Sequence, residues 1–314
     1  MATVGNANFD QILSTTLNNY RPTLEDNIFT ARPLLFWLKS KDRIQMKSGG
    51  AKIVIPLLIT SNSTAGSYAA ADTILTTHQD GISAAEYNWK QFAASINIYG
   101  IEEAKNNGEA EIIDLLESKI MQTEEGIAES MNTMFYLDGT GNASKDWLGL
   151  AAIVNNTGTL GNINATVDDT YWRSYVDATA APLTLAQMTT AFNSASRGSD
   201  SPDAILTTQT LFEKYEALLQ PQLRFQDSKT ADGGFQNLLF KTAPVMYDVS
   251  CQAGVMYFLN SKYIKLVGHT DKWFSPTPFV KPTNQDLRIA QILCYGELTA
   301  SNRSRLAKLT GKTV

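Results

Sequence analysis

The clearest hydrophobic pattern in the chain runs from Glu109 to Leu137. Apolar side chains recur there at steps of four and seven positions, namely at Ile112, Leu116, Ile120, Ile127, Met131 and Phe135. This spacing is typical of an amphipathic helix that buries one face. Gly108 precedes the stretch and Gly139 follows it, as expected at helix ends. The pattern predicts one helix about 43 Å long, with Gly126 as a candidate bend because glycine costs roughly 1 kcal/mol relative to alanine inside a helix.

A second pattern, in residues 44 to 99, consists of two β-rich runs around a polar tip. The outgoing run at 53–59 is Ile- and Leu-rich, and its Pro56 suits only an edge strand or a bulge. The return run alternates from residue 87 to residue 99. Of the 14 residues at 60–73, 11 are Ala, Gly, Ser or Thr, which cannot form a packed core. The pattern predicts a ribbon with arms of about 50 Å. Because an isolated two-stranded ribbon is marginal in water, we expect something outside the chain to cover it.

The first 43 residues are predicted to form an arm. Short helical turns are expected at 8–13 and at 24–29, the second ending before Pro33. An arm this short cannot bury the apolar residues 34–38 on itself, so we expect them to dock on the body or on a neighbouring chain. From the arm and the ribbon we select seven candidates for inter-subunit contact: Phe36, Trp37, Leu38, Ile53, Ile55, Tyr68 and Trp89.

The remainder of the chain alternates between helical and strand patterns. Thr184 with Gln187 and Thr210 with Glu213 each predict a capping box at the start of a helix. Strands are predicted at 204–208, 235–240, 245–247, 255–259, 263–267 and 289–298. The fold class that follows is α+β, with two or three helices and mostly antiparallel strands. The length of 314 residues favours two lobes over one core.

Composition narrows the class of protein. With 18% charged residues and a net charge of −5, the chain is not expected to grip nucleic acid over its whole surface, although it could surround it. The longest apolar runs are too short to span a bilayer, and the N-terminus does not resemble a secretory signal. Cys251 and Cys294 are predicted to be buried small hydrophobes in a reducing compartment.

Residues with catalytic chemistry are few. His78 lies in the polar tip and His269 in a turn, and neither is expected to act as a general base. The motifs of zinc proteases, CxxC sites and serine hydrolases are absent from the sequence. The sequence therefore predicts no catalytic, cofactor-binding or metal site. The basic tail after Asn302 either faces phosphates or an acidic neighbour, or is a plain solvated C-terminus.

The order of these features resembles a known family. The segments concerned are 24–28 with 33–38, 48–57, the long helix, 138–141 with 148–154, 171–174, and 254–260 with 263–264. In this order the chain resembles the major capsid proteins of tailed bacteriophages, with the HK97-like coat fold, over nearly its whole length. The resemblance implies an N-terminal arm at 1–43, an extended β-ribbon (the E-loop) at 44–99, a P-domain with a long spine helix at 100–139, a mainly A-domain part at 140–255, and late strands with the basic tail at 256–314.

The resemblance implies a structural role in the virion, with assembly in the host cytoplasm. Copies of the chain would form pentamers and hexamers that close an icosahedral shell around double-stranded DNA, with scaffolding and portal proteins as further partners and no membrane. Some members join a ribbon lysine to a neighbour's asparagine. No lysine lies between Lys52 and Lys90, so we expect no such cross-link. The chain begins almost directly with the arm, from which we expect a separate scaffolding protein.

Three other interpretations remain open at this point. An encapsulin-like compartment shell would share the architecture but hold enzymes in place of DNA. A hydrolase would have to use paired carboxylates, since only carboxylates are abundant enough. An exported surface-layer or adhesion protein would fit the Thr- and Asn-rich middle, although no secretory signal is visible.

Overall fold

The structure is a computed structural model, which describes residues 27–28, 32–59, 63–78, 81–105, 109–167, 169–219 and 238–314. Its helices are Pro33–Ser40, Gly100–Lys105, Glu109–Tyr136, Leu150–Ile153, Asp169–Trp172, Leu185–Ala195 and Gln209–Leu219, with a left-handed turn at Gly141–Ser144 and 3₁₀ turns at Ser261–Tyr263, Thr270–Lys272 and Arg303–Arg305. The helical turn predicted at 8–13 lies outside the described residues. Of the turn predicted at 24–29, only Asn27 and Ile28 are described, and both are helical.

The described strands, numbered in chain order, are β1 (Ile44–Lys47), β2 (Ile53–Leu58), β3 (Ile82–Tyr87), β4 (Lys90–Tyr99), β5 (Thr159–Leu160), β6 (Ile163–Asn164), β7 (Tyr175–Asp177), β8 (Ala181–Pro182), β9 (Ala204–Thr207), β10 (Leu238–Phe240), β11 (Ala243–Tyr247), β12 (Met256–Leu259), β13 (Ile264–His269), β14 (Ser275–Pro276), β15 (Leu287–Ala300), β16 (Ala307–Leu309) and β17 (Lys312–Thr313). The six strands predicted after residue 200 are present, with shifts of a few residues at their ends, whereas β5–β8, β14, β16 and β17 were not predicted. Residues 235–237 lie outside the described part. Most pairings are antiparallel, and the parallel ones are β1 with β13, β9 with β11, β7 with β16 and β8 with β17.

The long helix predicted from Glu109 is confirmed and ends at Tyr136. It is called the spine helix below. Its predicted stripe is buried at Leu116, Ile120, Ile127, Met131 and Phe135. The helix continues through Gly126 without a break, and a Cβ placed at Gly126 would meet no atom within 4 Å.

The spine helix belongs to the first of two lobes, whose sheet has five strands. Its path is β1–β13–β15–β14, and β4 pairs with the other edge of β15. The helix at 33–40, called the arm helix below, buries Leu34, Leu35, Trp37 and Leu38 in the same core. The body of the chain itself therefore covers these four apolar residues of the arm.

The second lobe has its own hydrophobic core. Its six-stranded sheet has the order β10–β11–β9–β12–β16–β7, and the helices at 185–195 and 209–219 supply buried residues to the same core. Strands β12 and β16 lie inside this sheet although they come from residues after 255. The expected two lobes are therefore present, and the second lobe also takes strands from the C-terminal part of the chain.

The two predicted capping boxes had different outcomes. The box of Thr184 and Gln187 is confirmed, with both reciprocal hydrogen bonds present. The box of Thr210 and Glu213 is wrong, because the helix already begins at Gln209. There the Thr208 hydroxyl accepts a hydrogen bond from Leu211 N at 3.5 Å. Since β9 ends at Thr207, Thr208 is the first hydroxyl available to cap the orphan N–H groups.

The prediction of two ribbon arms of about 50 Å is wrong. Strands β2 and β3 pair over Ile53–Leu58 and Ile82–Tyr87, which is about 20 Å of ribbon. The rest of the return run, β4, pairs with β15 over its whole length. A half-buried strand shows the same alternation in a free ribbon and in a sheet, so the pattern could not identify the partner of β4. Pro56 lies in the two-stranded ribbon, where both strands are edges, as predicted.

Candidate inter-subunit surfaces

The β2–β3 ribbon has one face towards the body and one face towards solvent. Along β2, Ile53 and Leu57 are buried whereas Val54 and Leu58 are exposed. Leu58 lies opposite Ile82 in the antiparallel register, so the two side chains share the outer face. They are 79% and 75% exposed. Burial of apolar surface is favourable by about 25 cal/mol per Å². Covering this outer face with another surface would therefore lower the free energy.

The base of the ribbon packs on the β5–β6 hairpin of the same chain. Glu86 N donates to Gly161 O at 3.0 Å. The Glu86 carboxylate accepts from Asn162 Nδ2 at 2.9 Å and from Lys52 Nζ at 2.6 Å, and the Lys52 contact lowers the pKa of Glu86. Gly161 has a φ of +60°, and a Cβ there would lie 2.9 Å from the Ala85 Cβ. Only glycine allows this approach, which fixes the base of the ribbon to the body.

Trp89 also holds the base of the ribbon in place. Its Nε1 donates to Gly50 O at 2.8 Å, and its ring meets the His269 ring edge-to-face at 5.4 Å between centroids. His269 Nδ1 accepts from Asp271 N at 3.2 Å. The structure therefore places this histidine in a structural turn at the end of β13, beside the ribbon base.

The tip beyond the ribbon is open to solvent. No described residue from 63 to 78 belongs to a strand or a helix. Asp72 closes a small turn by accepting from Ala69 N at 2.8 Å. The large apolar residues Tyr68, Ile74 and Leu75 are all more than half exposed. Three large exposed apolar side chains within eight residues make the tip a candidate interaction surface.

The seven sequence candidates fall into three groups. Trp37, Leu38 and Ile53 are buried within their own chain, and Phe36, Ile55 and Trp89 are partly buried. Tyr68 is 69% exposed. Sequence reasoning missed the outer-face residues Val54, Leu58 and Ile82, and the tip residues Ile74 and Leu75. The alternation of β2 could have identified Val54 and Leu58, since one face of a ribbon always lies opposite the buried one.

Basic residues of the C-terminal tail make their contacts within the chain. Arg303 is 1% exposed, with Nε donating to Ile153 O at 2.7 Å and Nη2 donating to Asn155 O at 2.9 Å. Burial lowers the pKa of Arg303 to about 10. Lys312 Nζ contacts Asp177 Oδ2 at 2.9 Å and donates to Thr179 O at 2.7 Å. For Arg303 and Lys312, the prediction that the tail faces phosphates and the prediction that it is solvated are therefore both wrong. Their partners are mainly carbonyl oxygens, which leave no signal in a sequence.

Two buried acids hold distant parts of the chain together. Glu297 is 1% exposed, and its Oε1 accepts from Leu148 N at 2.6 Å and from Leu298 N at 3.0 Å. Burial raises the pKa of Glu297 to about 8. Asp248 Oδ1 accepts from Asn132 Nδ2 at 2.8 Å, which joins the spine helix to the turn after β11. Both acids have structural partners.

Within the described ranges, no three His, Cys, Asp or Glu residues are grouped to hold a metal ion. No helix in this part of the chain is long and apolar enough to cross a membrane. Cys251 and Cys294 are buried thiols, as predicted, and burial raises the pKa of Cys251.

Comparison of the fold with solved structures gives close matches over almost the whole chain. The capsid asymmetric unit of cyanophage A-1(L) matches with a TM-score of 0.66 and 16% identity, covering 86% of this chain and 90% of that one. The holo-SrpI encapsulin complex of Synechococcus elongatus matches with a TM-score of 0.58 and 10% identity, covering 88% and 87%. The procapsid of satellite phage P4, which includes its size determination protein, matches with a TM-score of 0.56 and 12% identity, covering 93% and 91%.

At the level of sequence, no protein-family model and no curated protein matches the chain. These three structural neighbours are two phage capsid structures and an encapsulin complex. The chain therefore has the HK97-like capsid fold, as its sequence predicted.

Proposed function

We propose that this chain is the major capsid subunit of a tailed phage, which assembles with copies of itself into pentamers and hexamers of an icosahedral head around double-stranded DNA. The observation that carries the proposal is the outer face of the ribbon. A capsid fold whose E-loop leaves Leu58 and Ile82 about three-quarters exposed has an apolar surface that its own chain does not cover. Another subunit supplies that cover.

The distribution of exposed apolar side chains fits a role in assembly. Stable protein interfaces bury on the order of 1,600 Å² with an apolar centre. The ribbon and tip together present six large exposed apolar residues: Val54, Leu58, Tyr68, Ile74, Leu75 and Ile82. The base of the ribbon is held against the body at Gly161 and by the contact of Trp89 with His269.

The further partners in the proposal are a scaffolding protein and a portal protein. The P4 procapsid structure includes a size determination protein, which supports assembly with an accessory protein here as well. DNA would be enclosed without being read in sequence, since the chain is net acidic and Arg303 and Lys312 are committed to internal partners. The mature location would be the virion, after assembly in the host cytoplasm.

An encapsulin-like compartment is the second candidate, favoured by the match to the SrpI encapsulin. The two candidates share the shell and differ in its contents. Particles purified from the natural source would contain nuclease-protected DNA in the first case and protein cargo in the second.

Negative-stain electron microscopy of the purified protein, alone and with a candidate scaffolding protein, tests the proposal. We expect closed round shells or hexameric tiles, because the fold and the uncovered ribbon face both belong to a shell subunit. A uniform field of small particles under every condition would contradict it. Shells of correct size from the coat protein alone would remove the need for a separate scaffold.

A further inference from the structure

A small polar cluster is buried at the junction between the spine helix and the turn after β11. Asn132 and Tyr136 are four positions apart on the spine helix and therefore share one of its faces. Asp248 belongs to the turn that follows β11. Asn132 and Tyr136 are 0% exposed, and Asp248 is 3% exposed. The Tyr136 ring lies 6.3 Å from that of Tyr257 in β12, so the cluster sits where the spine helix meets the sheet of the second lobe.

Direct hydrogen bonds use only part of this cluster. Asn132 Nδ2 donates to Asp248 Oδ1 at 2.8 Å and to Ser250 Oγ at 3.0 Å. Ser250 N donates to the same Asp248 Oδ1 at 2.9 Å. Three buried atoms, namely Asn132 Oδ1, Asp248 Oδ2 and the Tyr136 hydroxyl, make no hydrogen bond of good geometry with any described residue. Buried polar atoms in folded proteins are nearly always hydrogen-bonded, so three such atoms together indicate a further partner.

The three atoms belong to one site. Asn132 Oδ1 and Asp248 Oδ2 are the second atoms of an amide and a carboxylate that already bond each other. The Tyr136 hydroxyl lies near the same carboxylate, because burial and, after it, the charge of Asp248 raise the pKa of Tyr136. None of the ion pairs between described residues involves Asp248. The carboxylate therefore depends on hydrogen bonds for its stabilisation.

The donors and acceptors of the site match those of a water molecule. An amide oxygen and a carboxylate oxygen only accept, whereas a phenol can donate. One water donates twice and accepts as well, so it can satisfy all three atoms, and buried waters typically make about three hydrogen bonds. A cation would leave the proton of the phenol without an acceptor. Three side-chain oxygens also fall short of the roughly six to eight ligands that calcium takes.

We propose that one buried water molecule binds at this junction, donating to Asn132 Oδ1 and Asp248 Oδ2 and accepting from the Tyr136 hydroxyl. It links the spine helix to the turn after β11 and completes the hydrogen bonding of the cluster. The site belongs to the folded subunit, so it does not depend on the proposed shell-forming function.

A crystallographic or cryo-electron microscopy map of the unmodified protein that resolves ordered water tests the site directly. We expect one peak at hydrogen-bond distance, about 2.7–3.2 Å, from all three atoms. A direct hydrogen bond from the Tyr136 hydroxyl to Asp248 Oδ2, with no peak beside it, would overturn the inference. A peak at about 2.3–2.6 Å from the oxygens would assign the site to a cation such as calcium and reject water.

The choice between water and a cation has a second test in solution. The melting temperature of the subunit is measured in sodium, potassium, calcium and choline chloride at equal ionic strength. We expect the same value in all four salts, because a water site requires no particular cation. Stabilisation by one of the metal ions over choline would overturn the inference.

The variant Tyr136→Phe tests the third hydrogen bond of the site. It removes one buried donor, so we expect the equilibrium constant for unfolding to rise roughly tenfold in denaturant titration. Tyr68→Phe makes the same chemical change at an exposed position and is the matched control, with no change expected. In a map of Tyr136→Phe the water peak should weaken, because two of its three bonds remain. An unchanged peak, or equal stability of the two variants, would overturn the three-bond site.

Discussion

The ribbon and the C-terminal tail distribute apolar and charged side chains in opposite ways. The ribbon leaves Leu58 and Ile82 in water, whereas the tail buries Arg303 and Lys312 inside the chain. A folded chain normally buries aliphatic side chains and exposes cations. The tail is explained by partners within the chain, three main-chain carbonyls for Arg303 and a carboxylate with a carbonyl for Lys312. The ribbon has no such internal explanation, and this difference is the reason we propose the ribbon as the surface that a second molecule covers.

The largest effect is expected from placing charges on the outer face of the ribbon. In the double variant Leu58→Asp and Ile82→Asp, like charges face each other where an apolar surface is to be covered. Both side chains are exposed in the subunit, and we expect them to contribute no core packing. We therefore expect particle assembly to be lost in light scattering and sedimentation while the melting temperature of the subunit changes little. Normal particles would contradict a role of the outer face in assembly. A large fall in melting temperature would show that the two residues also stabilise the subunit.

Arg303→Met is expected to have the largest effect on the folded subunit itself. It removes hydrogen bonds to three carbonyls, those of Ala152, Ile153 and Asn155. Asn155 O still accepts from Ser174 N, so the carbonyls of Ala152 and Ile153 are the two that lose this donor without a described replacement. Each buried group left without a partner costs about 1–3 kcal/mol, so we expect a loss of roughly 4 kcal/mol in the free energy of unfolding. Denaturant titration measures it. Lys272→Met, at an exposed position, is the control, and equal effects from the two variants would show that Arg303 is not a structural residue.

Lys312→Met is expected to have a somewhat smaller effect. Its Nζ contacts Asp177 at 2.9 Å, and the side chain of Lys312 is fully buried whereas that of Asp177 is 16% exposed. Removing one partner of a buried pair costs about 3–5 kcal/mol, and the partial exposure of Asp177 places the expected loss near the lower end. The double variant Lys312→Met with Asp177→Asn should recover part of the loss. A double variant no more stable than Lys312→Met would show that the pairing itself contributes little.

The variant Glu297→Gln tests whether the buried carboxyl of Glu297 makes the stability of the subunit depend on pH. Burial raises the pKa of Glu297 to about 8, above its ordinary value of 4.5, so the folded chain holds a proton that the unfolded chain releases between these values. Stability from this group is therefore fully present below about pH 4.5 and declines as the pH rises towards 8, by at most about 1.4 kcal/mol per pH unit.

The charged groups facing Glu297 are Lys90 and, when ionised, Tyr87. Glutamine retains an oxygen acceptor for Leu148 N and Leu298 N and removes the proton equilibrium. We expect the melting temperature of the variant to decline less than that of the original chain from pH 5 to pH 8. Parallel profiles for the two proteins would contradict the assignment.

The sequence predicted those parts of the fold in which local patterns decide the outcome. The apolar stripe of the spine helix and the Thr184 capping box depend on neighbours three or four residues away, and both are confirmed. The extent of the ribbon was wrong because β4 pairs with β15, almost 200 residues later in the chain, and alternation carries no information about partners. The contacts of Arg303 were missed for a related reason, since carbonyl acceptors exist at every position of every sequence.

The location of the exposed apolar residues on the ribbon and its tip was easier to predict from the sequence than their identity. The Ala-, Gly-, Ser- and Thr-rich tip indicated correctly that the ribbon lacks a core of its own. Trp37 and Ile53 were chosen because they are large and apolar, a property that also suits burial within the chain, where the structure places both. Which apolar residues remain exposed depends on long-range packing, which only the three-dimensional arrangement shows.

The exposed pair Leu58 and Ile82 also determines how an assembly built on it responds to temperature. The association of aliphatic surfaces near room temperature is driven by the entropy of water, and it weakens on cooling. No lysine lies between Lys52 and Lys90 to lock the ribbon covalently to a neighbour. We therefore expect a shell held together through this face to be favoured by warming and weakened by cooling.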